Sequence, residues 1–107
     1  MGFRIIDDKV IDTDADTAQT KLIDSASPYT WGLFVKWSGV TGAGSVDVEG
    51  SANGVDWFVI ETAAVSGATG TATETADVNP WNYLRVAHKV GTLSAGKVEA
   101  WFNAKGQ

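Results

Sequence analysis

The sequence predicts an all-β protein, a single antiparallel β-sandwich or jelly-roll-like domain, and three observations predict it. Apolar and polar residues alternate with a period of two in run after run, as in strands that bury one face. Glycine-bearing turns at residues 38–44, 66–70 and 91–96 separate those runs. The apolar spacing of an amphipathic helix is nearly absent, so the helical crossovers of a parallel sheet are not available.

Taken in order, residues 1–27 read as an N-terminal arm or first strands, and residues 28–107 as the sandwich, within one domain overall. Asp7, Asp8, Asp12, Asp14, Asp16 and Asp24 crowd that first segment, which is expected to dock on a neighbouring subunit. Residues 31–37 place Trp31, Leu33, Val35 and Trp37 on one side of a strand. Residues 45–49 turn Val46 and Val48 inward and Asp47 and Glu49 outward. Residues 55–60 are apolar on both faces apart from Asp56, which predicts a central or doubly covered strand. The Ala/Thr-rich segment 61–77 has little to bury and reads as an edge strand or a long exposed loop. Residues 82–90 alternate Leu84, Val86, His88 and Val90 against Tyr83, Arg85, Ala87 and Lys89. Residues 97–104 close the pattern, with Val98, Ala100 and Phe102 opposite Glu99, Trp101 and Asn103.

A chain of 107 residues buries roughly 65% of the surface its unfolded form exposes, enough for one core without cross-links. There is no cysteine, which excludes disulfides, thiolate metal sites and thiol nucleophiles. Thirteen acidic against eight basic side chains give a net charge of −5, which disfavours binding nucleic acid through its phosphates. No apolar run approaches the roughly 18 residues of a membrane helix, and the start lacks the apolar middle of a signal peptide. No nucleic acid, membrane or cofactor is therefore expected as a partner.

Within residues 50–58, Asn53-Gly54 is a strong hairpin signal, because both central positions of a type I′ turn need positive φ. Trp57 lies close enough to fold over that turn. Ser51, Asn53, Gly54 and Trp57, read with the flanking strands 44–60, resemble the Ser-x-Asp-Gly-x-x-Trp hairpin of discoidin-like sandwiches. Small β-sandwich virion proteins of tailed bacteriophages carry the same hairpin, and here Asn replaces the usual Asp. Residues 81–86 and 98–102 resemble the Tyr-x-Arg-Val strand and closing strand of the same groups, so the likeness covers about half the chain, between residues 44 and 104. A discoidin domain is longer and usually held by a disulfide, so the small virion sandwiches are the better match. The resemblance implies a non-enzymatic structural protein of the virion, decorating or cementing a capsid. Its partners would be the major capsid protein or other virion subunits, and copies of itself, plausibly as a trimer.

Chemistry-bearing clusters are few. Asp12, Asp14 and Asp16 start like a calcium loop, but Thr17 stands where the loop needs glycine and Ile23 where it needs a bidentate Glu. His88 is the only histidine and, placed in an alternating strand, reads as a packed structural residue. No nucleophile elbow positions a serine, so no catalytic residue is assigned and no enzyme is expected. Five tryptophans must either fill a core or face a partner. Trp31, Trp37 and Trp57 are expected to fill or cap the core. Trp81, Tyr83, Arg85 and Trp101 are the candidate subunit interface. The alternative is an extracellular carbohydrate-binding or receptor-binding module in which Trp57 or Trp101 stacks on sugar.

Overall fold

Strand after strand in this chain has one apolar face, and a second sheet is the simplest thing to lay against it. The computed structural model describes residues 4–23, 30–76 and 80–106. Eight strands follow in order: β1 (Arg4–Asp14), β2 (Gln19–Leu22), β3 (Thr30–Ser38), β4 (Ala43–Ser51), β5 (Phe58–Ser66), β6 (Thr69–Ala76), β7 (Tyr83–Lys89) and β8 (Lys97–Gly106). They form two antiparallel four-stranded sheets, a first with the order β1-β8-β3-β6 and a second with the order β2-β7-β4-β5. The pairing is nested, β1 with β8, β2 with β7, β3 with β6 and β4 with β5, and it is closed by β8 on β3 and β7 on β4. This is the arrangement of a jelly roll, a long antiparallel ribbon rolled so that its halves face each other.

The core lies between the sheets. Trp31, Leu33, Val35, Trp37, Val98, Ala100 and Phe102 face inward from the first sheet, and Val46, Val48, Ala63, Val65, Leu84 and Val86 from the second, all buried. Phe102 stacks on Trp31 with ring centroids 5.7 Å apart. Full burial of each such side chain contributes roughly 1.5–3 kcal/mol. His88 is 2% exposed, with Nε2 2.9 Å from the Ala15 carbonyl and Nδ1 3.3 Å from that of Ser45. It holds the turn between β1 and β2 against β4.

Four connections pass from one sheet to the other at one end of the molecule, and they are bonded to each other. Ala15 N donates to Gly96 O, Val40 N to Ala68 O, and Thr41 and Ser94 exchange two backbone bonds. Trp37 reinforces this end, its indole Nε1 lying 3.1 Å from the carbonyls of both Ser66 and Gly67. Gly70 makes room for that ring, since a Cβ there would lie 2.7 Å from Trp37 Cζ2.

One expectation changes, that for the stretch 55–60, and two that left alternatives open fall on their strand alternatives. Residues 4–14 and 19–22 of the acidic segment are strands of the two sheets, whereas residues 1–3 and 24–27 lie outside the described residues. The stretch 55–60 is not a central strand: β5 starts at Phe58 and is an edge, with Val55 75% and Val59 47% exposed. Residues 61–76 of the Ala/Thr-rich segment divide between β5 and β6, β6 is an edge of the first sheet, and residue 77 lies outside the described residues.

Where β5 and β6 meet, burial and the neighbouring Glu61 carboxylate, which also shares a hydrogen bond, raise the Glu74 carboxyl above its ordinary range. A carboxyl raised in the folded state costs stability once the pH exceeds its unfolded value. Glu74→Gln should therefore raise the melting temperature near neutral pH, and the gain should disappear below about pH 4, where the Glu74 carboxyl is protonated in both the folded and the unfolded chain. Gly70→Ala should lower stability by about 1–3 kcal/mol, read by denaturant titration, because a buried ring must move to admit the methyl group.

Candidate functional site

The loop between β4 and β5, residues 52–57, is built by side chains rather than by a two-residue turn. Ser51, fully buried, accepts on its Oγ from the Asn53 and Gly54 amides at 3.2 and 2.8 Å and donates to Asn53 Oδ1. Asn53 Oδ1 accepts in turn from the amides of Val55 and Asp56 at 2.8 and 2.9 Å, and its Nδ2 donates to Asp56 Oδ2. This is the local capping chemistry of Ser and Asn. Only Gly54 takes a positive φ, at 77°, so the expected type I′ turn is not formed: Asn53 spends its side chain on the loop and keeps an ordinary backbone. The loop lifts Val55 into solvent and presents Trp57 to the outer face of the second sheet.

On that face the cross-strand register aligns Leu22, Arg85, Glu49 and Val59 in one row. The Arg85 guanidinium lies 4.4 Å over the Trp57 ring, while its Nε donates to Glu49 Oε1 at 2.6 Å. Lys89 Nζ donates to Glu49 Oε2 at 2.9 Å and to Asp47 Oδ2 at 3.3 Å. Asp47 and Glu49, which alternation turns outward, are each only 5% exposed, because these two long cations lie over them. Burial opposes ionisation of Glu49, but the hydrogen bonds from Lys89 and Arg85 outweigh it and hold the carboxyl below its usual range. The same bond to Glu49 raises the Lys89 ammonium.

Around this fixed charge network the surface is apolar. Leu22, Val55, Val59 and Tyr83 are between 44% and 75% exposed. The Tyr83 ring covers Gly54, with atoms 3.5 Å from where a Cβ would stand. Phe58 meets the half-buried Trp81 edge-on at 4.6 Å. Of the expected interface residues, Tyr83 and Arg85 share this face, whereas Trp81 packs with Phe58 on the other side of the sheet, beside Gly50.

Trp101 does not join them, because it stands on the outer face of the first sheet. There the register runs Lys9, Trp101, Phe34, Thr73 across β1, β8, β3 and β6. Lys9 lies 5.4 Å from the Trp101 ring on one side, and Phe34 packs on the other at 5.6 Å. Both flanks of the indole are therefore occupied. Asp12, Asp14 and Asp16 are exposed, and Asp12 is paired with Lys9 and Lys97. Among the described residues no group of three or more His, Cys, Asp or Glu gathers as metal ligands, and no helix is long and apolar enough to cross a membrane.

Sequence reasoning missed Leu22, Val59 and the covering of Asp47 and Glu49. The one available signal was complementary charge on one face of each strand, acids at 47 and 49 and bases at 85 and 89, each pair separated by an even number of positions. Because Glu49 is depressed when folded, its stabilisation is present above about pH 4.3 and is lost as the pH falls through the folded value. Glu49→Gln should thus cost about 1–3 kcal/mol at pH 7, with the deficit narrowing in acid.

No family model matches the chain, and no curated protein matches it. Several solved structures resemble it. One, described under "CBM4 structure and function", aligns with a TM-score of 0.50 and 13% identity over 83% of this chain, which spans only 61% of that one. Another, described under "Bacillus endospore appendages form a novel family of disulfide-linked pili", aligns with a TM-score of 0.53 and 25% identity over 98% of this chain and 88% of that one. The first likeness is one of fold, and both place the chain among β-sandwiches.

Proposed function

We propose that this protein is a non-catalytic architectural subunit that packs against copies of itself, or against neighbouring subunits, on the outside of a surface assembly. The observation that carries the reading is the exposed apolar face around Trp57 and Arg85, whose charged side chains are paired with one another. Such a surface has apolar area to lose to a partner. Trp57 and Arg85 are also residue types that dominate binding energy at interfaces.

The likeness to a pilus-forming appendage over nearly the whole chain supports the same role. That neighbour's pili are disulfide-linked, whereas this chain has no cysteine, so its contacts are noncovalent. The cover of a phage capsid, implied by the hairpin resemblance, and an extracellular appendage are two settings for one kind of subunit. A sugar platform is less well served, since Trp101 is flanked on both sides and Arg85 occupies a face of Trp57.

Sedimentation of the full chain over a range of concentrations, with electron microscopy of the products, tests the reading. The wild type should grow beyond a dimer. Val59→Glu combined with Tyr83→Ala should weaken that growth at least tenfold, with an unchanged far-UV circular dichroism spectrum. Undiminished growth of this variant would remove the face from the assembly. A wild type that stays monomeric but binds an oligosaccharide panel would favour the module reading instead.

A further inference from the structure

Three of the four sheet edges carry a feature that discourages a foreign strand from pairing with them. β1 shifts register between Lys9 and Ile11. β2 is four residues long. β5 carries an extra residue, Ile60, where Val48 pairs with Glu61 but Glu49 with Val59. β6 has no bulge, break or shortening: it keeps unbroken register with β3 from Thr69 to Ala76, contains no proline, lysine or arginine, and carries a single charge, Glu74. Thr69, Thr71, Thr73 and Thr75 are exposed along it, and Gly70, Ala72, Glu74 and Ala76 are half-buried on its other side. Its outer backbone groups form an open template for an antiparallel strand.

We propose that β6 pairs antiparallel with the β6 of a second copy about a two-fold axis at Ala72, joining two four-stranded sheets into one of eight strands. The strand is complementary to itself in this register. Thr69 faces the partner's Thr75 and Thr71 the partner's Thr73, which are favourable cross-strand pairs. Ala72 meets the partner's Ala72, and Glu74 faces the partner's Gly70, where no side chain opposes it. The only charges on the two strands, the Glu74 carboxylates, stand four residues apart along the ladder, about 13 Å. That separation exceeds the screening length of roughly 8 Å at physiological salt. The contact lies on the first sheet's edge and does not need the apolar face of the second sheet.

The absence of cysteine provides the test. When full-length Thr71→Cys and Thr73→Cys proteins are mixed under mild oxidation, the linked dimer between the two should form several-fold faster than in either protein alone. In sedimentation equilibrium, Thr73→Lys should raise the dimer dissociation constant at least tenfold while the spectrum of the fold is unchanged. The Val59→Glu, Tyr83→Ala protein should still dimerise, which separates this edge from the face proposed above. Equal cross-linking in all three samples, or dimerisation unaffected by Thr73→Lys, would overturn the proposal, whichever way the face variants behave.

Discussion

Everything else in the molecule depends on four chain reversals held together at one end. A ribbon of paired strands becomes this sandwich by crossing from sheet to sheet, and at each crossing both of its strands must bend at the same place. Here the β1-to-β2 and β7-to-β8 bends are bonded through Ala15 and Gly96, and the β3-to-β4 and β5-to-β6 bends through Val40 and Ala68. The Thr41–Ser94 bridge joins one pair of bends to the other. Gly39, Gly42, Gly67, Gly91 and Gly96 all take positive φ in these bends, conformations that cost glycine little. Trp37 and His88 lock them from the inside. The opposite end is thereby left free to carry long loops without endangering the fold.

The two outer faces show how differently one architecture can treat exposed aromatic rings. On the first sheet, Trp101 is wedged between its own neighbours Lys9 and Phe34, so its area is largely satisfied within the chain. On the second sheet, the cations that could cover apolar neighbours are drawn down onto Asp47 and Glu49. Buried carboxylates thus organise the surface above them, fixing Arg85 against Trp57 and leaving Leu22, Val55, Val59 and Tyr83 uncovered. A fixed charge set of this kind contributes more to geometry and partner choice than to net stability.

The architecture was legible because period-two alternation is a direct image of a sheet with one buried face, and β3, β4, β7 and β8 show it plainly. β1 hides from that reading because its register shift leaves Val10 and Ile11 buried side by side, which breaks the alternation. β6 hides because the small residues it turns inward carry almost no apolar signal. The run Val55–Ile60 misleads for the opposite reason: apolar residues on both sides indicate two covered faces, yet here part of that area stays exposed. In the hairpin, the right residues were visible but not their division of labour, since Ser51 and Asn53 close the loop through side chains. Alternation also placed Asp47 and Glu49 on the outer face, but could not reveal the cover provided by cations some forty positions away in sequence.

The pairing of β1 with β8 brings Arg4 beside Gly106 at one corner of the first sheet. A pull applied to the two ends of the chain would load that ladder one residue pair at a time and peel it open. A load entering through the faces or the long edge of a sheet would instead be shared by many bonds at once and would have to shear them together. The same fold is therefore weak as a link in a chain and strong as a tile in a wall.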